Sequence, residues 1–421
     1  MSRRHGGRPV IARPADATDT TEHALRQLLT PEGLADPYAL YRELREREAS
    51  GDPIGRVVVR HEQVSAAVTD RSMSCERIPG LVASLPDEVR SQVSVVERTL
   101  GDIIAFRDPP AHTRLRRLLA KAFTPGVVGQ ERLAIERAAG FLVDAIADDG
   151  ETDLHGRVTY PLPAMVIGAL LGVPDAELER FQRWALDIVF FVGSGQLDAE
   201  LALRTRDSML EMREYLADLV GRRRREPGDD LLSAMIAAAD EGDRLTTDEI
   251  YANSVFLMTA GHETATNMLS NGVLTLLRHE DQLARLLAAP ELIETATEEM
   301  LRYESPVQVT ARFVTEDREL WGRRLRAGEA LILLLGAANR DPDVIDDPDR
   351  FDIGRDKNRH LAFALGPHFC LGASLARLEL RLLIERLVAT ITDLEVLSPP
   401  DIEPNIFVGA VRSLDLGFRR R

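Results

Sequence analysis

At 421 residues with 44% hydrophobic content, the chain is long enough to bury a large core, and 68 acidic residues against 52 basic ones give a formal net charge of −16. That sign excludes a general nucleic-acid binder, which needs a basic face. Two cysteines exclude a disulfide framework, a four-cysteine zinc site and a cysteine-ligated iron–sulfur cluster.

The chain opens MSRRHGGRPVIARPADATDTTE, polar, Pro/Gly-rich and without the apolar core of a signal peptide. Residues 1–22 are expected to be a flexible arm, and 23–421 a single domain, because no linker interrupts the remainder. No apolar run reaches the roughly 18 residues of a membrane span, so a cytoplasmic, reducing location is expected. GRVVVR near Val58 reads as a strand. Helical spacing is found at 86–100, 111–123 and 131–146. GRRRREPGDD, 221–230, reads as a basic helix end and a turn, its arginines favoured by the dipole.

A capping box, Thr246 with Glu249, opens a pattern that runs to Arg278, a helix of roughly 48 Å at 1.5 Å per residue. Shorter helices are expected at 281–289 and 291–303, and a strand at 330–335. The fold class is therefore mainly α with a small β region. GSG at 193–195 lacks the third glycine and the preceding strand of a dinucleotide motif.

The stretch FALGPHFCLG, Phe363–Gly372, holds one of the two cysteines. Leu371, Leu375, Leu378 and Leu382 recur downstream at helical spacing, which puts Cys370 at a helix N-terminus. There the orphan N–H groups and dipole are expected to favour a thiolate. Gly366 and Gly372 would let backbone pass close to something flat. A thiolate so presented suits a nucleophile or an iron ligand. His368, two residues away, places no constraint on a nucleophile's base.

These residues resemble the cytochrome P450 haem-thiolate monooxygenases, whose ligand loop reads F-x-x-G-x-[RH]-x-C-x-G. The match lies at Phe363, Gly366, His368, Cys370 and Gly372. Ala364 stands where the family usually has glycine. If that position needs positive φ, its Cβ costs about 1 kcal/mol.

AGHETAT, Ala260–Thr266, fails the zinc pattern H-E-x-x-H because residue 266 is threonine. It is similar to the family's oxygen-activation signature at Ala260, Gly261, Glu263 and Thr264. Thr264 is expected to bond back to the Ala260 carbonyl and open the helix locally. Glu299 and Arg302 match the family's E-x-x-R, which implies a structural triad with a later arginine, Arg355 in preference to Arg350. His112 and Arg116, four apart, together with Arg312 and His368, resemble the family's haem-propionate contacts.

The resemblance implies the P450 fold with a long central helix over haem b (iron protoporphyrin IX), Cys370 as the metal ligand, and Thr264 and Glu263 as catalytic residues using O2. It also implies electrons from NAD(P)H through a ferredoxin and its reductase, docking near Arg116, Arg117, Lys121 and Arg359. Phe256, Leu257, Val307, Val309 and Phe407 are expected to face an apolar small molecule, free or carrier-bound. Tailoring of a polyketide or macrolide by hydroxylation or epoxidation is the leading expectation. Alternatives are a haem-thiolate peroxygenase and a non-catalytic haem-binding protein.

Overall fold

The structure is a computed structural model that describes residues 20–421 except 29, 31–32, 34–35, 52–53, 121–124, 194–197, 241–244 and 404–409. Its first helix, Thr20–Leu28, begins inside the stretch read as an arm. Most of the remaining chain is helix, including α1 (Ile78–Ala83), α2 (Ser94–Gly101), α3 (Ala111–Ala120) and α4 (Pro161–Leu171). The expected continuous helix over 86–100 breaks into Asp87–Arg90 and α2, with the buried Val93 turned inward at the break.

The long helix α5 (Thr247–Arg278) has the expected capping box, with Thr246 and Glu249 each accepting from the other's backbone. It is buried on most of its faces, as a helix crossing the middle of a large core must be. Around it packs the largest apolar cluster, from Ile78 to Phe418. Behind it lie α6 (Ile293–Tyr303) and α7 (Ala373–Thr390). Among the described residues no helix is long and apolar enough to cross a membrane.

Beside the helices lies a four-stranded sheet ordered β1 (Val57–Val58), β4 (Ala330–Leu334), β3 (Val309–Val314), β2 (Met73–Ser74). β1 runs parallel to β4, while β3 pairs antiparallel with both β4 and β2. Register matters here because strand side chains alternate. Val309 faces a second apolar cluster containing Tyr41, Leu44 and Leu334, whereas Thr310 faces a cavity beneath α5. Two further strands near the C-terminus, β5 (Asp401–Glu403) and β6 (Ala410–Ser413), pair antiparallel.

Candidate active site

The cavity, about 350 Å³ in volume, separates the middle of α5 from the Phe363–Gly372 loop. The loop is held by its own backbone. Ala364 N donates to Leu361 O (2.8 Å) and Cys370 N to Phe363 O (3.0 Å). Two residues turn it through positive φ: Gly366 at 70° and Ala364 at 53°. Ala364 therefore occupies the left-handed conformation that its Cβ disfavours. Gly366 is required twice over, since a Cβ there would also lie 2.9 Å from Thr69 Cγ2. Arg377 caps the loop from outside, stacked on the Phe363 ring at 4.5 Å and bonded to Glu298. Burial alone would raise the Glu298 pKa, but His360 and Arg377 outweigh it and hold it at about 2.

Cys370 presents its surface to the cavity just ahead of α7. The expectation of a spontaneous thiolate is corrected. Burial pushes the thiol up, and the Gly372 amide, Arg116 and Arg377 pull it back only in part. Ionisation against that upward push is favoured by a cation at sulfur, and a coordinated metal ion deprotonates a thiol outright. Among the described residues no group of three or more His, Cys, Asp or Glu converges to hold a metal. A Cβ on Gly372 would meet nothing within 4 Å and would project into the same space.

One end of the cavity is crowded with cations. His112 and His368 stack with centroids 4.0 Å apart, and Arg116 Nη1 donates to Phe369 O (2.6 Å). Arg312 donates to Ala311 O (2.9 Å) and Val68 O (3.5 Å). The sequence did not single out Arg77, which also lines the cavity and stacks on Phe106 at 4.9 Å. Burial lowers the His112 pKa, with Arg116 adding to the effect. Burial, then His112 and the surrounding arginines, drive His368 down to about 3. Arg77 is lowered to about 10, chiefly by burial. No ion pair involves Arg77, Arg116 or Arg312 among the described residues. This end is a ready receptor for carboxylates. A sulfur open to the cavity, a glycine beside it and a cluster of arginines at one end together fit a flat metal-bearing macrocycle with acidic substituents.

On the α5 side, Thr264 Oγ1 donates to Ala260 O as expected, but the helix runs unbroken through that bond. Ala260, Gly261 and Thr264 line the cavity, and a Cβ on Gly261 would press on Ile167 of α4 at 3.3 Å. Glu263 does not line it. A residue's step of about 100° around the helix turns this 2% exposed carboxylate away, with Oε2 3.5 Å from Arg412 Nη1 and Oε1 4.0 Å from His262 Nδ1. His262 Nε2 lies 3.1 Å from Tyr160 O, so that nitrogen carries the proton, and burial lowers the ring's pKa to about 4. Burial and Glu263 raise Tyr160 to about 12.

Phe256, Leu257 and Val307 line the cavity; Val309 does not, because strand alternation sends it to the other face of β3. Phe407 and Lys121 lie outside the described residues. Arg116 is turned into the cavity, so it does not sit on a docking surface. Cys75 is buried and forms part of the cavity wall. Glu379 of α7 is an acid that the sequence reading missed: it lines the cavity, and burial alone raises its pKa to about 8.

Glu299, Arg302 and Arg355 come together as expected. Glu299 accepts from Arg302 Nε and Nη2 (2.8 Å each), from Arg355 Nε (3.1 Å), and from Asn358 Nδ2 (3.0 Å). Arg302 also donates to Asn339 O and Pro348 O. Arg350 contributes only its carbonyl.

A family model described as Cytochrome P450 matches residues 287–406. Cytochrome P450 monooxygenase PikC of Streptomyces venezuelae is 38% identical over 92% of this chain and 92% of its own. Polyketide biosynthesis cytochrome P450 PksS of Bacillus subtilis is 36% identical over 76% of this chain and 79% of its own. A crystal structure of P450BioI with an acyl carrier protein bearing hexadec-9Z-enoic acid superimposes with a TM-score of 0.85 at 32% identity. It covers 92% of this chain and all of that one.

Proposed function

The chain belongs to the cytochrome P450 family and is a monooxygenase, and from that premise we propose that Cys370 ligates the iron of haem b and that the cavity accepts a sizeable apolar substrate. When bound, the haem supplies thiolate-ligated iron and the activation of O2 that inserts one oxygen atom into the substrate. Arg116, Arg312, His112 and His368 hold its carboxylates at the cationic end. Phe363 and Gly372 form the loop that presents the sulfur, and Ala260 and Gly261 form the α5 surface opposite.

Thr264 holds its proton against the Ala260 carbonyl, which leaves the hydroxyl's lone pairs toward the cavity to accept a hydrogen bond. Glu263 stores a charge behind the helix beside Arg412. Release from Arg412 turns that carboxylate toward Thr264, giving a relay that brings protons from the C-terminal hairpin to the cavity. Phe256, Leu257 and Val307 exclude water and orient apolar carbon. Glu299, Arg302 and Arg355 hold the segment that leads to the ligand loop without touching substrate.

The substrate class follows from a wall with no charged side chain on its α5 side and from relatives such as PksS, whose name places it in polyketide biosynthesis. Hydroxylation or epoxidation of a polyketide or macrolide skeleton, free or on a carrier protein, is the reaction. Electrons come from NAD(P)H through a ferredoxin and its reductase in the cytoplasm, with docking contributed by the exposed Arg117 and Arg359.

The observation that carries this reading is a cysteine sulfur just ahead of α7, open to a cavity whose one end gathers arginines that make no ion pair among the described residues. Its test is ferredoxin-supported turnover of apolar polyketides and macrolides under 18O2. One labelled oxygen in the product, and NAD(P)H consumption diverted to peroxide in Thr264→Ala, are expected. Label arriving only from peroxide, with Thr264→Ala fully coupled, would overturn it in favour of a peroxygenase.

A further inference from the structure

Arg77 has an arrangement that ordinary packing does not explain. Its Nε is enclosed yet has no hydrogen-bond partner, and its side chain makes no hydrogen bond or ion pair among the described residues. It lies on the cavity wall beside Arg312, a like charge. A guanidinium left this way costs free energy unless an anion meets it. The other two guanidiniums are partly committed already. Arg116 gives an N–H to Phe369 O, and Arg312 gives two to backbone carbonyls. The two terminal nitrogens of Arg77 remain for a planar carboxylate.

The position of Arg77 in the chain gives this a second consequence. It immediately precedes α1, whose Ile78 and Val82 are buried and which packs on α2. The guanidinium is braced on Phe106, and two residues earlier the Cys75 amide donates to Asp108 Oδ1 (2.8 Å). Residues 75–77 are thus tied to the 106–108 segment that leads into α3, and the stretch 78–101 continues from that joint.

We propose that Arg77 is a third guanidinium for the haem carboxylates, and that its contact orders residues 78–101, so that holding the cofactor and fixing this stretch are one event. This rests on the haem reading of the cavity. Arg77 is a binding residue here, distinct from the four contacts inferred from motif resemblance.

The test compares Arg77→Met, which keeps the stack on Phe106, with Arg77→Lys, which keeps charge but loses the fork. Haem transfer from each holoenzyme to apomyoglobin should be about ten- to a hundredfold faster in Arg77→Met, with Arg77→Lys intermediate. Hydrogen exchange across 78–101 should slow on haem binding in the wild type and much less in Arg77→Met. Reconstitution with haem dimethyl ester separates charge from packing. The wild type should then lose haem quickly, and Arg77→Met should add nothing further. An Arg77→Met effect that persists with the ester would overturn the proposal in favour of packing. Unchanged haem transfer, with weaker binding of carboxylic-acid ligands than of their esters, would overturn it in favour of substrate recognition. A wild type that takes up no haem would instead remove the reading on which the proposal stands.

Discussion

Two groups of arginines in this molecule do opposite things. Around Glu299, Arg302 and Arg355 find a carboxylate, an amide and several carbonyls, and the triad's side chains are 0, 0 and 12% exposed. At the cavity, Arg77, Arg116 and Arg312 gather with two imidazoles and make no ion pair among the described residues. A network closed on itself fixes backbone, and one left with a single sign of charge facing a void awaits a ligand. What separates structure from binding here is whether the arginines have a counter-charge within the fold.

The sharpest way to break the comparison is at Glu299. Replacement by Ala leaves two arginines enclosed without a counter-charge, and a loss of about 3–5 kcal/mol is expected. Thermal and urea unfolding of the holoenzyme would show it, and a variant that melts like the wild type would contradict the structural assignment.

Glu379 offers an intermediate case, an enclosed acid that avoids imbalance by staying protonated. Its folded pKa of about 8 lies above the ordinary 4.5, so its stabilising protonated form is fully present below pH 4.5. That stability is lost as pH rises through 8. Glu379→Gln removes this slope. It should melt above the wild type at pH 8.5, by on the order of a few kcal/mol, and alongside it near pH 5. Parallel pH profiles for the two proteins would count against a neutral Glu379.

Arg312→Met should act in the opposite sense to Glu299→Ala. Haem affinity should fall roughly tenfold, about 1.4 kcal/mol, measured by haem transfer, while the unfolding transition of the haem-free protein stays put or rises as like-charge crowding is relieved. A haem-free protein destabilised as severely as by Glu299→Ala would erase the distinction between the two clusters.

The smallest effect is expected at Ala364. Glycine accepts φ of 53° without the Cβ penalty, and Ala364→Gly should stabilise by up to about 1 kcal/mol, offset in part by the unfolded chain's added freedom. Calorimetry that shows destabilisation would mean the Cβ has packing worth more than the strain.

What could be read in advance was what lies close together in the chain. The α5 capping box, the Thr264–Ala260 bond, the ligand loop and the Glu299–Arg302 pair all involve partners within a few turns, where spacing implies contact. Arg77, Arg412 and Glu379 escaped because their surroundings come from distant segments; a lone Arg or Glu in a charged sequence reads as solvated surface. Helix α4 went unnoticed for a different reason: nearly every residue is apolar and most are buried, so no 3.6-residue alternation marks it. The family resemblance suggests Val309 as a cavity residue together with Val307, and only strand register shows that it faces the other way. Cys370 was read as a thiolate from its helix terminus, where enclosure by the fold turned out to be the larger influence.

The most direct measurement is the carbon monoxide difference spectrum of the reduced holoenzyme beside that of Cys370→Ser. A long-wavelength Soret band in the wild type, absent from the variant, is the expected result and would establish sulfur ligation at this residue. A spectrum indifferent to the substitution, or a protein that takes up no haem, would contradict the assignment of the cavity.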